Sequence, residues 1–228
     1  MVAVLIVSTS HSILGETGEA TGSWAEEVAS PYYLFKAAGY TVDITSIAGG
    51  EIPFDEPSLA PPYLTKDVER FLLDDDAMAQ VFESRVFSSV SADAYDAVYL
   101  PGGHGTCWDF PGNATLKQLV ETFHKSGKVV SAVCHGVIGL LEANDESGAC
   151  ILAGKQATGF SNTEEFAVVK EKIVPFLLED AMKAKGAIYT AAGNWKVHAL
   201  RDGKLVTGQN PQSSARVAEL VIEALQSP

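Results

Sequence analysis

The sequence predicts an α/β fold, a three-layer sandwich around a mostly parallel sheet. Short β-branched runs recur at residues 2–8, 41–47, 97–100, 128–133 and 205–208, with helical stretches between them. The runs at 2–8, 97–100 and 128–133 are largely apolar rather than alternating, as strands covered on both faces must be, and strands joined by helical crossovers pair in parallel.

Each element has its own warrant. Residues 2–8 read as a buried strand. They are too short for a signal core, lack a cationic start, and run into Thr9-Ser10-His11 rather than a small-residue cleavage site. Residues 23–38 carry Trp24, Val28, Tyr32 and Phe35 at helical spacing and stop at Gly39, a helix C-cap. Residues 67–90 are acidic around Asp74, Asp75 and Asp76 and read as a solvated helix pair, a lid being the alternative. Residues 115–125 before Gly127, and 213–225, are the remaining long helices. No internal repeat or linker interrupts the chain, so one domain over 1–228 is expected.

Composition narrows the partners. The 228 residues are 46% hydrophobic and 20% charged, with a net charge of −13 and no Lys/Arg cluster longer than a pair. Nucleic acid and anionic membrane are excluded as expected partners. No apolar run approaches the roughly 18 residues of a membrane span. Cys107, Cys134 and Cys150 are odd in number and without metal-binding spacing, so neither a disulfide framework nor a metal site is expected, and a reducing cytoplasm fits. The first strand does not open into a GxGxxG turn, so no nicotinamide cofactor is expected.

The chemistry concentrates at Ala132-Val133-Cys134-His135-Gly136. An apolar strand runs into this segment and an apolar helical pattern follows at once, the layout of a nucleophile elbow with cysteine where hydrolases have serine. Such a turn lifts the sulfur above the carboxyl edge of the sheet, where a helix N-terminus favours the thiolate. Pro101-Gly102-Gly103-His104-Gly105, ending another strand, is either a tight turn or a loop whose N–H groups face an oxyanion. Gly103 and His135 would supply those donors. His104 is either a loop anchor or a pocket wall, and Trp108 follows in the same loop. Of the Glu26-Glu27 pair, Glu27 lies on the more apolar side of its helix, where a carboxyl should be raised in pKa and share a proton with a thiolate; a rim position is the alternative. Glu164-Glu165, beyond Thr158-Gly159-Phe160, lies at the same sheet edge.

Together these segments, with Leu205-Val206-Thr207-Gly208-Gln209-Asn210-Pro211-Gln212, resemble the class I glutamine amidotransferase-like superfamily. The branch they are most similar to is that of glutathione-independent glyoxalases (glyoxalase III, D-lactate dehydratases), which includes heat-shock holding chaperones and is related to the PfpI-type peptidases. The resemblance implies a flavodoxin-like sandwich, a homodimer, and conversion of 2-oxoaldehydes such as methylglyoxal to 2-hydroxy acids without cofactor or metal. It makes Cys134 the nucleophile, His135 and Glu27 the proton carriers, and Glu165 rather than Glu164 the carboxylate that orients His135, Glu164 being solvated. Gly102, Gly103, His104 and Trp108 are then expected around the substrate. A holding chaperone, a protein deglycase or a PfpI-like peptidase is the alternative. Cys107 departs from the family pattern and is either an oxidisable thiol or packing. Amidotransferases use a His-x-Glu pair downstream of the cysteine, whereas His198 here is followed by Ala199 and Leu200, so glutamine hydrolysis is not expected.

Overall fold

The computed structural model describes residues 1–227; Pro228, the last residue of the expected domain, lies outside them. In chain order the elements are β1 (Ala3–Ser8), α1 (Ala25–Ala37), β2 (Thr41–Ser46), α2 (Lys66–Leu72), α3 (Asp75–Phe82), β3 (Arg85–Val86), β4 (Ala97–Leu100) and α4 (Thr106–Asp109). They continue with α5 (Ala114–Lys125), β5 (Val129–Val133), β6 (Gln156–Ala157), α6 (Asn162–Ala167), α7 (Leu178–Ala184), β7 (Ile188–Tyr189), β8 (Ala199–Asp202), β9 (Leu205–Gly208) and α8 (Ser214–Gln226). The five strands read from the sequence fall within one residue of their observed ends.

Seven strands form one sheet in the order β3-β2-β1-β4-β5-β9-β8, all parallel except β8, which runs antiparallel to β9. β6 and β7 pair separately. The order fixes the layers. From β1 the chain crosses to β2 on one side, and from β4 it crosses to β5 on the other. Right-handed crossovers in opposite directions put α1 and α5 on opposite faces. α8 packs beside α1. The reversal lies between β1 and β4, so the crevice for a ligand opens there, at the carboxyl ends of the strands. β1, β4 and β5 are wholly buried, which is why their sequences do not alternate.

Several expectations are corrected. β3, β6 and β7 are two residues each, too short to leave a pattern. β8 is half-exposed and carries Arg201 and Asp202, so it lacks an apolar run; it turns into β9 through Gly203, whose φ is +65°. The 67–90 segment is a helix pair, but only its outer faces are solvated. Val68, Phe71, Ala77 and Val81 are buried, and Phe71 meets Tyr32 of α1 edge-on at 5.5 Å. Thr65 and Asp74 cap the two helices by accepting from the Val68 and Ala77 N–H groups. The helix expected after Cys134 is a 3-10 turn over Cys134–Leu140.

That turn is tight because it has no room to widen. A Cβ on Gly136 would stand 2.2 Å from the Leu100 carbonyl oxygen, and one on Gly139 would stand 2.6 Å from Leu100 Cδ1. Gly136→Ala therefore forces backbone against backbone. It should destabilise the fold by about 2 kcal/mol or more, the scale of an overpacked core. Guanidinium unfolding would measure this, and a variant as stable as the parent would show that the two loops are free to separate.

Candidate active site

β5 ends at Val133, and the next residue, Cys134, has φ +55°, a left-handed conformation that a side chain adopts only when the surroundings enforce it. The strained turn puts the cysteine at the carboxyl edge of the sheet. Its thiol is buried, and its sulfur lies 3.5 Å from His135 Nδ1. Burial and the neighbouring Glu27 charge push the thiol well above its ordinary pKa, against the pull of the His135 backbone N–H. The thiolate expected from a helix N-terminus is therefore corrected. A 3-10 turn aligns its dipoles poorly, and desolvation by a full shell of protein outweighs it.

Glu27 sits in the first turn of α1 with no exposed surface. Its Oε2 accepts the Gly102 N–H at 2.6 Å, and its Oε1 has no hydrogen-bond partner among the described residues. Burial pushes this carboxyl up to about 8, while the Gly102 N–H and the Cys134 thiol draw it partly back. At neutral pH it carries a proton. Its backbone is anchored by an unusual device. Pro31, four residues on, has no N–H to give the Glu27 carbonyl. The Tyr99 hydroxyl, from β4, donates to that oxygen instead at 2.9 Å. Glu26 is half-buried on another side of the helix, bonded by the Thr65 hydroxyl and raised to about 7 by burial.

The β4 loop closes over the elbow. Gly103 has φ +100°, and a Cβ there would meet the Gly22 carbonyl oxygen at 2.3 Å. A Cβ on Gly102 would meet the His135 and Gly136 nitrogens at 2.7 and 2.8 Å. Both positions require glycine. Gly102 gives its N–H to Glu27, so it is not available to a ligand, which corrects its expected place beside Gly103. The Gly103 N–H has no protein acceptor among the described residues.

Of the acidic pair after Phe160, Glu165 meets His135 as expected, and only the place expected for Glu164 is corrected. Glu165 Oε2 lies 2.6 Å from His135 Nε2, and its Oε1 lies 2.8 Å from His104 Nε2. Burial pushes Glu165 up, but the His135 charge and the hydrogen bonds from both rings outweigh it and hold the carboxyl well below the usual range. His104 is driven down to about 4 by burial and the His135 charge. Glu164 is fully buried rather than solvated. It forms a capping box with Ser161 and accepts from the Trp195 N–H at 2.9 Å and from Asn210 Nδ2 at 2.7 Å. The ligand atoms of His104, His135 and Glu165 lie within 4.8 Å of one another, a spacing a metal could use. Here the carboxylate already takes both Nε2 protons.

Cys134, His135, Gly103 and His104 open onto a cavity of about 250 Å³, walled by Trp24, Tyr63, Phe160, Val168, Trp195, Pro211 and Gln212. Phe160 lies against the His135 ring at 4.5 Å. Trp108 is absent from that wall. The turn of α4 carries it to His11, on which it stacks at 5.3 Å, so its expected place at the substrate is corrected. Cys107 is buried in the core, its thiol pushed up by burial. Phe160 and the Pro211-Gln212 turn lay inside recognised segments, whereas Tyr63, Val168 and Trp195 had no signal in the sequence. No helix among the described residues is long and apolar enough to cross a membrane.

The profile of the DJ-1/PfpI family matches residues 20–224. The chain belongs to the DJ-1/PfpI family. Within it, the chain is 32% identical to a Saccharomyces cerevisiae protein named glutathione-independent glyoxalase HSP31, over 98% of each chain. The structure of glyoxalase III from Candida albicans superposes with a TM-score of 0.89 at 29% identity, covering 98% of this chain and 97% of that one. Another relative, Rapid Encystment Protein 24 KDa of Francisella tularensis, superposes over all of both chains with a TM-score of 0.96 at 39% identity.

The burial of Glu27 makes a stability prediction that holds for this DJ-1/PfpI chain whatever its substrate. Its pKa is about 8 in the folded chain against an ordinary 4.5, so the folded state keeps a proton that the unfolded state releases. Stability from this group is present below pH 4.5 and lost as pH rises through 8. Glu27→Gln removes that loss and should gain roughly 3–5 kcal/mol on the parent between pH 5 and pH 8.5. Denaturant titrations at the two pH values would read it; parallel curves would show that Glu27 is ionised in the resting protein.

Proposed function

We propose that this chain, as one domain over 1–228, is a glutathione-independent glyoxalase that converts methylglyoxal and similar 2-oxoaldehydes to 2-hydroxy acids through Cys134. The observation that carries this is the cysteine at a strained elbow, between a protonated buried carboxyl and a carboxylate-held histidine, on a cavity fitted to a small molecule. Full-length likeness to glyoxalase relatives supports it.

The reaction begins when Cys134 sulfur adds to the aldehyde carbon and the thiol proton passes to ionised Glu27. The aldehyde oxygen, negative as the C–S bond forms, meets the N–H groups of Gly103 and His135 and takes the proton from Glu27 to give a hemithioacetal. His135 Nδ1 then removes the proton from that carbon. Its other nitrogen is tied to Glu165, which fixes the ring and stabilises its charged form. The resulting enediol is protonated at the neighbouring carbon, giving a thioester that water cleaves to lactate and the free thiol. One carbonyl carbon is oxidised and its neighbour reduced, so electrons balance within the substrate.

The same reading makes the protein a cytoplasmic homodimer without nucleic-acid partners, in keeping with a net charge of −13 and three free cysteines. A holding-chaperone role is favoured by one observation, the exposure of Phe166, Val169, Trp195 and Val197. Protection of an unfolding client that survives Cys134→Ala would be its mark.

Three measurements test the enzyme. Cys134→Ala should lose lactate formation from methylglyoxal, assayed in EDTA without added thiol, whereas Cys150→Ser should retain it. Substantial turnover by Cys134→Ala would sink the reading. Because Glu27 must be ionised to take the thiol proton, kcat/KM should climb about tenfold per pH unit toward pH 8 and then level. A rate that falls across that interval would remove Glu27 from the base role. Glu27→Gln should lower turnover about a hundredfold.

A further inference from the structure

The chemistry above leaves His104 without a task, yet it occupies half of the carboxylate that holds His135. The two rings are 4.3 Å apart, and each has its Nε2 on a different oxygen of Glu165. An ionised carboxylate only accepts, so both nitrogens must be donors. His104 and Glu165 are both buried, so water does not substitute for either bond. His104 also follows Gly103, which lines the cavity and whose N–H has no protein acceptor among the described residues.

We propose that His104 is a positioning residue for the glyoxalase reaction: its Nε2–H fixes Glu165, and through Glu165 it sets the tautomer of His135 and ties the Gly103 loop to the elbow. This rests on the function proposed above. Glu165 arrives on the short helix α6, and without the second ring its carboxylate could rotate about its last bonds and offer His135 either oxygen. With His104 in place each oxygen has one assigned donor. His135 is then left with Nδ1, and not Nε2, toward the Cys134 sulfur. One buried charge aligns the proton carrier and the oxyanion donor together.

The variants His104→Phe and His104→Gln separate this from simple packing. Phenylalanine keeps a ring and removes the donor; the glutamine amide can place an N–H where Nε2–H stood. For methylglyoxal, His104→Phe should lower kcat about tenfold or more while KM moves less than about threefold, the pattern of an interaction felt in the transition state. His104→Gln should recover most of that loss. Nitrogen-15 spectra of the histidines give a second readout that needs no turnover. His135 should be a single Nε2–H tautomer in the parent and in His104→Gln, and a mixture in His104→Phe. The proposal is overturned if His104→Phe keeps parental kcat and an unmixed His135, or if His104→Gln is no better than His104→Phe. Should His104→Phe fail to fold, His104→Asn, whose amide is too short to reach Glu165, takes its place with the same expected outcomes. If the parent makes no lactate, the glyoxalase reading fails, and the tautomer comparison still decides whether His104 positions His135.

Discussion

The turn after β4 and the elbow after β5 meet backbone to backbone, and the rest of the site is arranged around that meeting. Gly102 lies against the His135 and Gly136 nitrogens, and Gly136 lies against the Leu100 carbonyl. Side chains on either loop would hold the two apart. Because none intervenes, the glycine loop packs directly on the elbow that carries Cys134, and the Glu27 carboxyl reaches the Gly102 N–H. Adjacent parallel strands β4 and β5 supply the alignment, since residues 97–100 run in register with 129–132.

Around this junction two buried carboxyls are treated in opposite ways. Both Glu27 and Glu165 are desolvated, and burial alone would raise both. Glu27 receives a single backbone N–H and has one oxygen unpaired, so desolvation wins and the group holds its proton. Glu165 receives two imidazole N–H groups, and they reverse the balance. Similar side chains thus become a protonated carboxyl and a fixed anion by the number and charge of their donors. Cys134 lies beside them, its thiol pushed well up by burial.

Much of the fold was legible because its central strands are buried on both faces. β1, β4, β5 and β9 wrote their burial as unbroken apolar runs, and the elbow announced itself in Cys134-His135-Gly136 between strand and turn. The edge strand β8 did not, since half of it faces solvent and its residues answer to both environments. The choice of Glu165 over Glu164 rested on the family resemblance and matches the His135 pairing, whereas the burial of Glu164 was missed although a local signal for it was present. Ser161 and Glu164 have the spacing of a capping box, which accounts for Glu164 as a structural acceptor and leaves Glu165 for the histidines. Trp108 misled because proximity in sequence to the glycine loop was read as proximity in space, and one turn of α4 rotated it onto His11. Tyr63 and Trp195 reach the cavity only through tertiary packing, which neither periodicity nor motif records.

Pro31 bears on how such a site withstands change. A proline inside a helix ordinarily weakens it. Here the missing donor hands the Glu27 carbonyl to Tyr99, so the helix is fastened to the sheet one turn before the proline. The height of the Glu27 carboxyl over the crevice is thereby set by the register of β4 and not by the path of the helix beyond. Beyond the proline only the outward positions Lys36 and Ala37 are open to substitution, since Phe35 is buried against the ring of Tyr99 at 5.9 Å. One tyrosine on β4 thus grips the helix twice, by its hydroxyl before the proline and by its ring after it.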